Sequence, residues 1–240
     1  MFFPSNFWLN LEDVSLGENH THIWYISLQA EKDELNYFSQ LLNDEELKKA
    51  ARFHFEKHRV HFIIARAVMR ILLGKYLEKS PCKINFIYGE HGKPYIEKNP
   101  IFFNISHSGD KALLAVNKTH EVGIDIELMR DNVSCEQIAT RYFSQTEVLE
   151  LAQTPLSQKK TAFFRGWSRK EAYIKGLGDG LTMPLADFYV PLMATENLAI
   201  THNSNSRSWG LWHLDVGDDY AGAVVLQTLN TTIRKYTYNG

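Results

Sequence analysis

Cysteine is scarce in this chain: 240 residues contain two, Cys82 and Cys135, with no CxxC pair and no metal-ligand spacing. A disulfide framework is excluded, and the usage fits a reducing compartment, so a cytoplasmic location is expected. An excess of one charge is also missing, since 26 Lys and Arg stand against 28 Asp and Glu, for a net charge of −2. That leaves no global electrostatic case for nucleic acid or an anionic membrane as partner, so a polyanionic ligand must meet local basic clusters. Long apolar runs are lacking as well. The longest, Phe62 to Leu73, is interrupted by Arg66 and Arg70 and cannot span a bilayer. The N-terminal MFFPSNFWLNLED is apolar but has neither a basic leader nor a small-residue cleavage site. There is no low-complexity linker, so any subdomains are expected to pack closely.

What is present has ordinary globular proportions, 44% hydrophobic and 22% charged, enough for one large domain or two small ones. Ile23–Leu28 reads as an edge strand. Asn43-Asp44-Glu45-Glu46 supplies caps and first-turn acids for a helix. A helical pattern runs from Lys48 to Leu77 with a break expected near His54–Lys57, and Gly74 and Ser80-Pro81 mark its end. From Lys83 short alternating runs predict strands: KINFIY, then the turn GEHGKP, then FFNIS, ALLAV and VGIDIEL. Helix returns over about Cys135–Leu151 and Lys159–Lys175, and the tail reads as strands DFYV, WGLWHLDV and YAGAVVLQ.

Helix followed by sheet thus occurs twice. ARF (Ala51–Phe53) and RYF (Arg141–Phe143) each precede an arginine-studded helix, a weak sign of duplication. The expected fold is α+β: two similar α/β subdomains in a pseudo-twofold arrangement, residues 1–120 and 121–240. A site is expected in the cleft between them.

Three segments carry chemistry. In VGIDIEL, alternation puts Val122, Ile124, Ile126 and Leu128 on one face and Gly123, Asp125 and Glu127 on the other. Two neighbouring carboxylates repel unless water screens them or a cation sits between them, and such hard donors suit Mg²⁺. The plainer reading is a solvated strand face. In the helical FFRGWSRKEAYIKGLGDGL, Trp167, Glu171 and Lys175 recur every fourth residue and share a face, with a stop at Gly176, Gly178 and Gly180. Here the plainer reading is an exposed Glu171–Lys175 pair beside a core tryptophan. FNISHSGD predicts a strand ending in a turn that holds Ser106, His107 and Ser108, groups able to meet phosphate. A Ser–His–acid triad is rejected, because adjacent Ser106 and His107 point opposite ways.

Together and in this order, GKP (Gly92–Pro94), FNISHS (Phe103–Ser108), GIDIE (Gly123–Glu127), RYFSQTE (Arg141–Glu147) and WSRKEAYIKGLGDGL (Trp167–Leu181) resemble the Sfp-type 4′-phosphopantetheinyl transferases. The resemblance implies that fold, with coenzyme A bound between the subdomains and its phosphopantetheine passed to a serine of an acyl or peptidyl carrier protein. It implies Asp125, Glu127 and Glu171 as ligands of Mg²⁺, or of Mn²⁺ in its place. Lys93, Ser106 and His107 would contact phosphates, with Lys170 and Lys175 nearby, and Lys49 and Arg52 would hold the 3′-phosphate side. Glu171, directly or through a metal-bound water, would accept the serine proton, and Lys175 would stabilise the leaving group. Glu46 and His61 stand where family members commonly carry a basic residue. An internally duplicated chain supplies its own cleft, so a monomer is expected.

Overall fold

One order of elements is written into the chain twice. In the first half β1 (His20–Ser27) is followed by α1 (Lys32–Leu41), α2 (Asp44–Ala51) and α3 (Glu56–Tyr76). A 3₁₀ turn (Pro81–Lys83) then leads to β2 (Phe86–Tyr88), β3 (Pro94–Ile96), β4 (Phe102–Ser108) and β5 (Lys111–Asn117). In the second half β6 (Val122–Leu128) precedes α4 (Cys135–Tyr142), α5 (Gln145–Gln153) and α6 (Leu156–Leu177). Another 3₁₀ turn (Leu185–Asp187), β7 (Phe188–Tyr189), β8 (Leu198–His202), β9 (Trp209–Leu214) and β10 (Tyr220–Leu226) follow, and β11 (Thr232–Tyr238) comes last. This computed structural model describes residues 14–98, 100–178, 183–193, 198–202 and 208–238. The N-terminal apolar segment and Gly180 lie outside the described residues.

The strands form two main sheets, β11-β1-β5-β4 and β6-β10-β9-β8-β7, and β2 and β3 make a separate hairpin. The α+β class is therefore as expected. Two expectations change. β1 is interior rather than an edge, because β11 lies parallel to it on the side away from β5. The chain changes sheet between Asn117 and Val122, close to the expected division at 120/121, but β11 crosses back, so the first sheet is completed by the last strand.

One face of the first sheet is covered by α1 and α3, through Phe38, Val68 and Leu72 against Trp24 and Leu114. Its other face, through Ile23, Leu113 and Ala115, shares a cluster with Ile124, Ile126, Trp212 and Val224 of the second sheet. α6 covers the far side of the second sheet, where Ala172, Tyr173 and Ile174 meet Trp209 and Val225.

The duplication shows most clearly in a pair of buried ionic contacts. Asn43 and Glu46 form a capping box at the start of α2, and Ser144 and Glu147 form one at the start of α5. Each box glutamate also holds a cation of the following long helix: Arg70 Nε donates to Glu46 at 2.8 Å, and Lys170 Nζ lies 2.8 Å from Glu147. Both cations then donate to two carbonyls just beyond that helix, Pro81 and Ile84 for Arg70, Leu185 and Phe188 for Lys170. These boxes set the register of the repeat and correct the tripeptide match. ARF closes the box-bearing helix, whereas RYF stands before one. The first expected helical stretch breaks at Arg52–Phe55, beside the expected His54–Lys57, and the Ser144 box splits the second at Phe143–Ser144.

Candidate active site

The two sheets meet where β4, the edge of one, runs beside β6, the edge of the other. Alternate side chains of β4 bridge the gap. Asn104 Oδ1 accepts from the Ile124 amide at 2.9 Å, Ser106 Oγ donates to Asp125 Oδ1 at 2.8 Å, and Ser108 Oγ donates to Glu127 Oε2 at 3.0 Å. The Leu128 amide donates to Ser108 Oγ at 3.0 Å. Ser106 and Ser108 are thus part of the strand rather than a turn, and their hydroxyls serve the carboxylates. His107 leaves β4 on the opposite side, as alternation requires. Its ring is open to solvent yet crowded by protein, and that crowding, followed by the Lys175 ammonium, lowers its pKa.

The face of β6 that carries Asp125 turns toward α6 and is not solvated, since Asp125 is 2% exposed. Gly123 is the reason the helix can come so close. A Cβ there would lie 2.0 Å from the Ala172 carbonyl oxygen and 2.2 Å from the Gly176 nitrogen. At this distance Lys175 Nζ reaches Asp125 Oδ1 at 2.5 Å and Ser106 Oγ at 2.8 Å. Burial alone would lower the Lys175 pKa, but Asp125, Glu171 and Glu127 outweigh it and hold the ammonium above its ordinary value. Burial pushes Asp125 upward while Lys175 and Ser106 pull it back. Glu127 and Glu171 are both raised, first by burial and then by the charge on Asp125. Three acids therefore share too little positive charge.

Glu171 and Lys175 line a cleft of about 650 Å³ together with His91, Gly92, Lys93, Asn104 and Gly178. Gly92 has φ +79 in the β2–β3 turn, a conformation that suits glycine. That turn delivers Lys93, whose ammonium lies 2.8 Å from Glu121 Oε2 and donates to the Gly176 carbonyl at 2.9 Å. Glu127 lines a separate, smaller pocket of about 320 Å³ with Phe163, Phe164, Trp167 and Ile138. A larger groove of about 1010 Å³, beside Lys75, Tyr76 and Lys118, holds none of the expected residues, so size alone does not mark the site.

One expected contact is not met. Lys170, 0% exposed, is enclosed with Glu147, Leu185 O and Phe188 O, so a coenzyme A contact is corrected to a structural ion pair. Lys49 lies on α2 and Arg52 just past its end, and both line a separate groove with Glu45, Lys48 and Phe53. Glu46 is buried against Arg66 and Arg70, an internal role rather than a ligand contact. Asn104 is not singled out by the sequence, Ser108 reads there as a phosphate-binding group rather than a partner of Glu127, and Glu147 is not singled out either. The period-two polar pattern Asn104, Ser106, Ser108 in FNISHS is the signal that finds the first two.

The donor set suits a hard divalent cation. Asp125 Oδ2 is buried without a hydrogen-bond partner, and the flanking acids are short of positive charge. Among the described residues no three His, Cys, Asp or Glu side chains are gathered tightly enough to hold a metal ion. The fit thus rests on the donors and the orphaned oxygen.

Fold and seam together define an α+β protein of two repeated halves with an acidic, lysine-rimmed cleft at their junction. A family model described as the 4′-phosphopantetheinyl transferase superfamily matches residues 121–225, and one described as 4′-phosphopantetheinyl transferase, N-terminal, matches residues 27–119. The chain is 34% identical over 218 residues to the 4′-phosphopantetheinyl transferase HetI of Nostoc sp. (strain PCC 7120), covering 89% of this chain and 90% of that one. It is 32% identical to the 4′-phosphopantetheinyl transferase Sfp of Bacillus subtilis, over 70% of this chain and 74% of that one. Identity to the transferase gsp of Aneurinibacillus migulanus is 28%, over 73% and 72%. The chain belongs to the 4′-phosphopantetheinyl transferase superfamily and is a phosphopantetheinyl transferase. No described helix is long and apolar enough to cross a membrane.

Proposed function

We propose that the chain transfers phosphopantetheine from coenzyme A to a serine of an acyl or peptidyl carrier protein, releasing adenosine 3′,5′-bisphosphate, with Mg²⁺ held by Asp125, Glu127 and Glu171. The observation that carries the reading is the buried, unpartnered Asp125 Oδ2 beside the Lys175 ammonium, on the family-matched strand. Such a transfer needs alignment and charge neutralisation more than covalent help. Bound there, the cation would neutralise charge on the pyrophosphate oxygens. Lys175 and Lys93 then orient the phosphates from the cleft, and His107 reaches a phosphate from the other side of β4. Ser106 and Ser108 keep Asp125 and Glu127 turned inward. Glu171 accepts the serine proton, directly or through one water, and a Glu171→Gln variant with near-normal transfer would rule out that role.

The test is to incubate the protein with coenzyme A, Mg²⁺ and an apo carrier, and to weigh the carrier intact. A gain of one phosphopantetheinyl group on the acceptor serine is expected. Hydrolysed nucleotide with unmodified carrier would favour a phosphodiesterase, and the same gain in excess chelator would remove the metal from the proposal.

A further inference from the structure

Asp125 treats its two oxygens differently. Oδ1 receives the Lys175 ammonium at 2.5 Å and the Ser106 hydroxyl at 2.8 Å, while Oδ2 is buried and has no hydrogen-bond partner. The carboxylate is 2% exposed, so it cannot be left without a counter-ion at acceptable cost. Lys175 differs in this respect. Its side chain is 31% exposed and forms part of the cleft wall, so its four-carbon stem has a way out toward whatever fills the cleft. A divalent cation on Asp125 would stand a few ångströms from that ammonium, where two like charges repel strongly.

The geometry points to a cation exchange: Lys175 is the resident counter-ion of Asp125 and leaves it when a divalent metal takes the carboxylate, its ammonium passing to a substrate phosphate. Asp125 stays compensated throughout, and Ser106 keeps it oriented while its partner changes. Lys175 therefore opposes the metal before substrate arrives and serves the phosphates afterwards. This rests on the proposed ligand set, and the experiment separates the two.

Mn²⁺ alone, without coenzyme A, is titrated into the full chain, and free ion is followed by its electron paramagnetic resonance signal. Lys175→Met removes the competitor and should tighten Mn²⁺ binding by about tenfold or more, while Lys175→Arg, which keeps the charge, should stay within about threefold of wild type. Should the methionine variant not fold, Lys175→Gln carries the same expectation. Binding that is lost in Asp125→Asn but not tightened in Lys175→Met overturns the exchange alone. Binding that Asp125→Asn leaves unchanged, or no binding by wild type and the methionine variant alike, overturns the ligand set and the exchange with it.

Discussion

The strand–helix pair β1/α3 and its repeat β6/α6 use one scaffold for different ends. Shifting by the 101 positions that separate Glu46 from Glu147 carries Gly123 to His22, Asp125 to Trp24 and Glu127 to Ile26. In the first half the space between strand and helix is filled by rings. Trp24 Nε1 donates to the Tyr76 hydroxyl at 2.8 Å, His22 Nδ1 is 2.8 Å from the same oxygen, and Tyr236 stacks on Trp24. In the second half Gly123 admits the helix backbone, and the strand–helix link becomes carboxylate to ammonium. A close approach of backbones is thus what separates the chemical half from the packing half, and both depend on the same buried box-and-cation anchor.

Exchanging the paired positions should break that contrast. Asp125→Ala is expected to cut carrier modification about a thousandfold by removing a group that orders charge at the reaction centre, read as initial rate by intact mass. Trp24→Leu should lower stability and leave the rate per folded molecule near wild type. An equal loss of rate would make the first half part of the site. Next come the anchors. Glu147→Ala strands the fully buried Lys170 and Glu46→Ala strands Arg70, each costing about 3–5 kcal/mol in urea denaturation. Replacing Glu147 and Lys170 together by methionine should restore most of the loss, and failure to do so would mean the pair does more than compensate itself.

Gly123→Ala should cost about 3 kcal/mol, because its methyl would meet backbone rather than a movable side chain. It should also reduce transfer more than stability alone explains, as α6 is pushed off Asp125. The smallest effect is on pH dependence. Burial, then Arg234, lowers the His22 pKa to about 4, and burial, then Arg165, lowers that of His213 to about 4. Unfolded, each binds its proton near pH 6.5, so the unfolded chain takes up more protons as pH falls from there toward 4. Stability should be full above about 6.5 and drop through that window, by about 2 kcal/mol for each histidine between pH 7 and 5. His22→Leu should flatten part of the slope in a series of urea midpoints, and an unchanged slope would sink the assignment.

Much of this was readable beforehand where the chemistry is local. Alternation in VGIDIEL separates Asp125 from Ile124, and four-residue spacing brings Glu171 and Lys175 to one side. Both follow from geometry within one element. Local pattern did not show that the acid-bearing face of β6 is covered, because the cover is a helix more than forty residues on, admitted by one glycine. Lys170 was misplaced for a similar reason: the sequence shows a lysine beside Glu171 but not that helical rotation carries it inward to Glu147. β11 went unread altogether. TIRKYTY is polar and mostly exposed, and it becomes a strand by pairing with β1 at the other end of the chain. The exposed Glu171–Lys175 pair of the plainer reading gave way because Asp125 offers that ammonium a buried partner.

The parallel pairing of β11 with β1 has a consequence in time. His20 lies opposite Thr232 and Ile26 opposite Tyr238, so β1 leaves the ribosome more than two hundred residues before β11, its outer neighbour. Contacts so distant in sequence form late. The first half should therefore linger with an open strand edge during synthesis, and the seam that gathers Asp125, Lys175 and Ser106 should settle only when the tail closes the sheet.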